Sequence, residues 1–240
     1  DGSYEEVPAT LIDYAKRDRR WCQGNLQHAG LLFARAWHPV SRVHFALGVM
    51  SYLASPLWLL FLLLAGVDAC VQASEVPVYF FGENLFPSWP ESYAFEMTTV
   101  LAVTLAMLFL PKAMVLGLLA LDPPRRRAFG GLVRATASAL AESVLATLLA
   151  PVLMLFQSKF VAAILMRRAV GWPPQRRGDH ATGALEALGA HGGQTLAGVA
   201  AGLGTWLYVP GFFWWFTPVL AGLLLAIPLS MATSRAAFGR

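Results

Sequence analysis

The stretch VHFALGVMSYLASPLWLLFLLLAG at residues 43–66 decides the class of this protein, because it is apolar and almost free of charge. A helix rises 1.5 Å per residue, so a segment of this length can cross a hydrocarbon core of about 30 Å. We therefore predict a membrane-spanning helix here. A second span is predicted from about residue 95 to residue 121, and it leads directly into the basic run Arg125, Arg126 and Arg127.

The composition of the whole chain agrees with a membrane protein. Of its 240 residues, 57% are hydrophobic and 13% are charged, whereas a soluble domain carries about a quarter charged residues. The net charge of +4 comes from basic residues that gather in short runs between apolar segments. A nucleic-acid-binding protein would need a continuous basic face with interleaved aromatic residues, so we predict no nucleic-acid partner.

The distribution of Lys and Arg predicts the orientation in the membrane. Residues 67–94 contain Asp and Glu but no Lys or Arg, which predicts a loop on the outer side. The arginine-rich segments 122–135 and 169–191 and the carboxy terminus are predicted to be cytoplasmic. A hairpin of two spans, at about 193–209 and 212–232, is predicted between segment 169–191 and the carboxy terminus, with Pro210 and Gly211 at its turn.

Residues 136–166 do not fit a simple crossing. They are apolar, but both flanks are basic, and the segment includes Glu142, Pro151, Gln157 and Lys159. Either two short helices enter the membrane and return around Pro151, or one long helix lies on the interface. We favour an interfacial or re-entrant pair, because a single crossing would leave positive charge on both sides.

The amino-terminal part differs from everything after it. Basic side chains alternate with apolar ones between Pro8 and Pro39, which predicts an amphipathic helix along the cytoplasmic interface. The predicted fold class is therefore all-α, with polytopic transmembrane helices and an amphipathic interface helix at the amino end.

The interface helix carries the segment Arg17-Asp18-Arg19-Arg20-Trp21, of the form Arg-x-x-Arg-Trp. Spacings of three and four place Arg17, Arg20 and Trp21 on one helical face. Two guanidinium groups can bind a diphosphate through paired hydrogen bonds, and an indole can stack on a sugar ring. The chemistry of these residues alone fits equally well with a basic helix whose arginines contact lipid headgroups.

Lys112 also has two interpretations. It follows Pro111 inside an apolar run, where a lysine could line a path through the membrane. The side chain could instead extend to the cytoplasmic interface near the end of its helix, and we favour this second interpretation. The histidines show no metal-ligand spacing with a carboxylate or a cysteine, so no metal site is predicted in this chain.

Beyond local chemistry, the Arg-x-x-Arg-Trp segment resembles the Gln/Arg-x-x-Arg-Trp element of processive family 2 glycosyltransferases, such as cellulose, chitin and hyaluronan synthases. Collinear segments along nearly the whole chain resemble, more narrowly, the bacterial glucans biosynthesis glucosyltransferase H family. The segments that carry this likeness are DGSYEE at 1–6, KRDRRWCQGN at 16–25, HPV at 38–40, GVMSYL at 48–53, LFP at 85–87, LFLPK at 108–112, LAPV at 149–152 and SRA at 234–236.

The resemblance implies a multi-pass glucosyltransferase of the bacterial inner membrane. Its substrates would be UDP-glucose and the growing glucan chain, and its product the β-1,2-linked backbone of osmoregulated periplasmic glucans. Carried over by motif, Arg17 and Arg20 would bind the donor diphosphate or the acceptor end, and Trp21 would stack on the acceptor sugar. Besides the lipid bilayer, the implied partners include a periplasmic glucan-processing protein.

The resemblance also implies that catalysis needs residues outside this chain. The nucleotide-binding and metal-binding aspartates of the family, with a divalent Mg or Mn ion, belong to an upstream cytoplasmic domain. The chain begins without an initiator methionine, and we expect it to be an inert fragment with no catalytic residue or cofactor of its own.

The chain is therefore predicted to have four parts. They are the end of the catalytic region with the interface helix at 1–38, two spans with a periplasmic loop at 39–121, cytoplasmic loops with interfacial or re-entrant helices at 122–191, and a transmembrane hairpin at 192–240. The alternative function is a transporter or channel subunit without catalysis, which would favour inverted repeats that the sequence does not show. A purely structural membrane anchor would leave the Arg-x-x-Arg-Trp segment unexplained.

Overall fold

A computed structural model of the chain describes residues 8–35, 37–75, 86, 94–168 and 180–235. Within these ranges the protein is helical and contains no strand, which confirms the all-α prediction. Most of the predicted outer loop at 67–94, the segment 1–6 and much of the predicted loop at 169–191 lie outside the described residues. The helices are α1 (Leu11–Gln27), α2 (Pro39–Ser74), α3 (Ala94–Leu121), α4 (Pro123–Ala128), α5 (Leu132–Leu165), α6 (Ala184–Tyr208), α7 (Pro210–Leu224) and α8 (Ala226–Thr233), with a 3-10 turn at His28–Leu31.

Three of the described helices are long and apolar enough to cross a membrane: α2, α3 from Phe95 onward, and α5. The first two confirm the helices predicted at 43–66 and 95–121. Helix α2 extends beyond the predicted span at both ends and reaches 36 residues. Its apolar side chains, and those of α3, are largely exposed, as is expected of helices whose solvent is lipid.

Helix α5 corrects the preferred prediction for residues 136–166. The structure has one continuous helix that passes through Pro151, so the predicted pair of short helices that return at this proline is wrong. Proline removes one backbone hydrogen bond, but neighbouring helices can compensate within a membrane protein. Here α7 packs against the proline: a Cβ on Gly222 would overlap both the Leu148 carbonyl oxygen and the Pro151 ring.

The carboxy-terminal hairpin is present in a modified form. Its turn lies at Val209, one residue before the predicted Pro210. Helix α7 returns along α6, and Thr195 Oγ1 of α6 donates a hydrogen bond to the Leu223 carbonyl of α7 at 3.2 Å. The second predicted span is two helices, α7 and α8, bent by 51° where they meet. Helix α6 is not among the candidate spans, because glycines and polar residues such as Gln194 interrupt its apolar sequence.

The chain forms two compact units, one of residues 1–73 and 147–240, the other of residues 74–146. The first unit has a core in which α1, α2 and the end of α5 meet. The second unit contains α3, α4 and the beginning of α5, and Asp122 caps α4 by accepting a hydrogen bond from the Arg125 amide at 3.1 Å. The buried residues of the first core are Ala15, Cys22, Tyr52, Phe160 and Val161.

Candidate functional site

The helix that carries the Arg-x-x-Arg-Trp segment has a well-defined start. Thr10 caps α1 by accepting a hydrogen bond from the Asp13 amide at 3.1 Å. Burial alone would raise the pKa of Asp13, but hydrogen bonds from Lys16 and Thr10 hold this pKa below its ordinary value. Asp13 is therefore ionised at neutral pH, and a negative charge in the first turn stabilises the helix.

One face of α1 is buried against other helices of the first unit. Ile12, Ala15, Asp18 and Cys22 recur at spacings of three and four and are all buried. Burial, reinforced by the nearby Asp18 carboxylate, raises the pKa of the Cys22 thiol to about 12. The structure confirms an amphipathic helix at the amino end, and its buried face packs against α2 and α5. The predicted extent up to Pro39 is wrong, because α1 ends at Gln27 and a 3-10 turn follows it.

The opposite side of α1 carries the predicted substrate-binding residues. Trp21 is 51% exposed, and the Arg17 guanidinium lies 4.8 Å from the centroid of its ring. The same guanidinium lies 5.6 Å from the Tyr14 ring. Arg20 is half-buried on the same helix. The Trp21 indole and the Arg17 guanidinium thus lie together on α1, in an arrangement that can contact a sugar and a phosphate.

Tyr14 also lies on this surface but was not predicted to belong to it. The residue precedes Arg17 by three positions and Trp21 by seven, which is the spacing of one helical stripe. This regular spacing is the signal by which Tyr14 could have been found.

A hydrogen-bond network behind the motif was also not predicted from the sequence. Asp18 accepts hydrogen bonds from Tyr52 Oη at 3.0 Å and from Gln157 Nε2 at 2.9 Å. Ser55 Oγ in turn donates to Gln157 Oε1. These partners lie on α2 and α5, far from Asp18 along the chain, and no local pattern in the sequence indicates them.

Lys112 contacts α5 within the second unit. Its Nζ donates to Ser143 Oγ at 2.8 Å and lies 3.4 Å from Glu142 Oε1. It lines a cavity of about 650 Å³, together with apolar residues of α3 and α5 and with Arg134. The contact with α5 was not predicted, and both earlier interpretations of Lys112 stay predictions.

The described residues contain no group of three or more His, Cys, Asp and Glu side chains that could hold a metal ion. None of the described residues is assigned to a metal ion.

Several curated proteins similar to this chain are named glucans biosynthesis glucosyltransferase H. The protein of this name from Rhodopseudomonas palustris is 45% identical over 241 residues, covering 100% of this chain and 33% of its own length. The protein from Pseudomonas aeruginosa is 43% identical and covers 100% of this chain and 28% of its own length. A third, from Pseudomonas syringae pv. tomato, is 41% identical over 99% of this chain and 28% of its own length.

No family model matches the chain, and no solved structure matches it. The chain spans about a third of the length of the curated relatives it matches. Along its entire length, it is a homologue of the glucans biosynthesis glucosyltransferase H proteins.

Proposed function

We propose that this chain is the carboxy-terminal membrane part of an inner-membrane glucosyltransferase. The enzyme would polymerise glucose from UDP-glucose into the β-1,2-glucan backbone of osmoregulated periplasmic glucans and pass the product across the membrane. The observation that carries this proposal is the 41–45% identity, over 99–100% of the chain, to proteins named as glucosyltransferases of glucan biosynthesis.

The geometry of α1 supports a substrate-binding role for three residues. In the proposal, Arg17 and Arg20 bind the donor diphosphate or the acceptor end of the glucan, and Trp21 stacks on the acceptor sugar. The half-exposed indole, with the Arg17 guanidinium over its ring, offers an aromatic surface and the donor groups that such a ligand needs.

The catalytic groups belong, in the same proposal, to an upstream cytoplasmic region with a divalent Mg or Mn ion. The chain described here contributes the membrane helices and the interface helix. The sequence favours a Lys112 side chain that extends to the cytoplasmic interface, but the cavity beside it, which combines apolar walls with charged groups, supports the alternative in which Lys112 lines the path of the glucan. A periplasmic glucan-processing protein would receive the product.

The test uses inverted membrane vesicles that contain the full-length protein and receive radiolabelled UDP-glucose. We expect a labelled polymer that is protected inside the vesicles, and linkage analysis should give β-1,2 bonds. The control is vesicles from cells that lack the protein. A different linkage would refute the proposed product. A protein that makes no polymer but moves preformed glucan would instead be a transporter.

A further inference from the structure

A carboxylate lies inside the Arg-x-x-Arg-Trp segment, on the side of α1 that faces the protein. Asp18 is 7% exposed and accepts hydrogen bonds from two different helices, through Tyr52 of α2 and Gln157 of α5. An ion removed from water is strongly disfavoured unless hydrogen bonds replace its hydration. The position of Asp18 therefore depends on both donors.

The donor from α5 is itself held in place. Gln157 Oε1 accepts from Ser55 Oγ of α2, which leaves its amide nitrogen to donate to Asp18 at 2.9 Å. We call Asp18, Tyr52, Gln157 and Ser55 the Asp18 network. It joins α1, α2 and α5 by hydrogen bonds whose donors and acceptors are matched, and such networks favour a single arrangement of the helices.

The Asp18 network determines which way the motif faces. Asp18 directly follows Arg17 and precedes Trp21 by three residues. Successive residues of an α-helix are about 100° apart around its axis. A rotation of α1 by one position would separate Asp18 from both donors and turn Arg17 and Trp21 away from their present direction.

We propose that Asp18, held by Tyr52 and Gln157, is a positioning residue for glucan synthesis. It fixes the rotation of α1 against the membrane helices and so directs Arg17 and Trp21 toward the substrate. This inference rests on the proposed function, and it adds to that function a buried device that holds the substrate-binding surface.

The reactivity of the Cys22 thiol reports how firmly α1 is held, and this measurement does not depend on glucan synthesis. It lies one turn after Asp18 on the same buried face and is 0% exposed. Its pKa of about 12, raised by burial and then by Asp18, leaves almost no thiolate at neutral pH. The thiol should resist N-ethylmaleimide while α1 is in place and react once α1 is loosened.

The experiment compares Asp18→Ala, Gln157→Leu and Tyr52→Phe in the full-length protein in membranes. Labelling of Cys22 is followed by mass spectrometry of its peptide, and glucan synthesis is measured in the same vesicles. We expect faster Cys22 labelling and slower synthesis in all three variants, by on the order of tenfold for Asp18→Ala, equivalent to about 1.4 kcal/mol. Tyr52→Phe removes a single hydroxyl group and keeps the test informative if Asp18→Ala does not fold.

The matched control is Asp68→Asn, which alters an exposed carboxylate on α2 whose side chain accepts from Gln72. Its Cys22 labelling and synthesis rate should equal those of the wild type, whereas Asp18→Asn should alter both. In addition, Asp18→Ala combined with Trp21→Ala should reduce synthesis by less than the product of the two single effects, because Asp18 acts through Trp21.

Three results would overturn the inference: Cys22 stays protected while synthesis falls, Cys22 becomes reactive while synthesis is unchanged, or the two single effects multiply fully. If wild-type vesicles make no glucan from UDP-glucose, the proposed function fails instead. Cys22 labelling then still shows whether the Asp18 network holds α1.

Discussion

Arg17 and Trp21 show how far single residues can be interpreted from sequence. Their spacing predicts a shared face, and the structure brings the guanidinium to 4.8 Å from the centroid of the indole ring. The role of each in binding stays a prediction. Substitution of a residue that stacks on a sugar should not have the same effect as substitution of a residue that binds a diphosphate, so the two roles can be tested separately.

At Trp21, removal of the indole should reduce polymer synthesis and leave donor binding largely intact. Trp21→Ala removes the stacking surface, worth about 0.5–1.5 kcal/mol beyond the buried area, but no phosphate contact. The measurement is the synthesis rate and the UDP-glucose KM in vesicles, with Trp206→Ala, an exposed tryptophan on α6, as the control. Equal rates in Trp21→Ala and wild type would indicate that the residue faces lipid.

At Arg20, a conservative change separates a diphosphate contact from a lipid contact. We expect Arg20→Lys to insert normally and to lose most of its synthesis, because an ammonium lacks the planar pair of donors that a diphosphate needs. Attraction to anionic lipid depends mainly on charge, at about 1 kcal/mol per residue. The synthesis rate is measured against UDP-glucose concentration for Arg20→Lys and Arg20→Ala. A lysine variant with nearly full activity beside an inactive alanine variant would refute the diphosphate role.

At the scale of secondary-structure elements, the sequence predicts where helices form better than it predicts whether a helix continues without a break. The apolar runs at 43–66 and 95–121 correctly predicted α2 and α3. Because of Pro151, a break was predicted in α5, but the helix is continuous. Gly222 of α7, far from Pro151 in the sequence, has no side chain and lets α7 pack closely against the proline ring. No comparable signal predicted the bend between α7 and α8. Local patterns therefore identify helices, but contacts distant in sequence decide whether they continue.

The packing of α7 on α5 gives a prediction about stability. Gly222→Ala should destabilise the folded protein by about 1–3 kcal/mol, because the new methyl group would overlap the Leu148 carbonyl oxygen and the Pro151 ring. The measurement is thermal unfolding of the detergent-solubilised protein. Gly204→Ala on α6 is the control, since nothing lies within 4 Å of its added Cβ. Equal melting temperatures for both variants would mean that α5 and α7 do not require this close approach.

At the scale of the whole molecule, the orientation in the membrane is predicted from the distribution of charge. Within the first unit, His180 Nε2 lies 2.9 Å from Asp13 Oδ2, and the Thr182 amide donates to Ser234 Oγ at 2.9 Å. The beginning of α1, residues 180–182 and the end of α8 therefore lie together. This grouping agrees with the prediction that the interface helix, the 169–191 segment and the carboxy terminus share the cytoplasmic side.

The orientation can be tested with introduced cysteines in a Cys70→Ser background, in which the remaining native cysteine of this chain, Cys22, is buried. A membrane-impermeant maleimide applied to intact spheroplasts should label Phe86→Cys, in the predicted outer loop, and should not label Gly130→Cys. Permeabilised cells provide the control, because both positions should then react. Labelling of Gly130→Cys before permeabilisation would place residues 122–135 outside and refute the predicted orientation.

The Asp18 network has a consequence for the order of synthesis on the ribosome. Gln157 lies 139 residues after Asp18, and translation at about 5–20 residues per second separates the two by roughly 7–28 seconds. During this interval α1 can contact Tyr52 of α2, but it lacks its partner on α5, so the Asp18 network is incomplete. The surface that carries Arg17 and Trp21 is thus completed late, after most of the membrane helices have been made, because the Asp18 network cannot hold α1 before α5 exists.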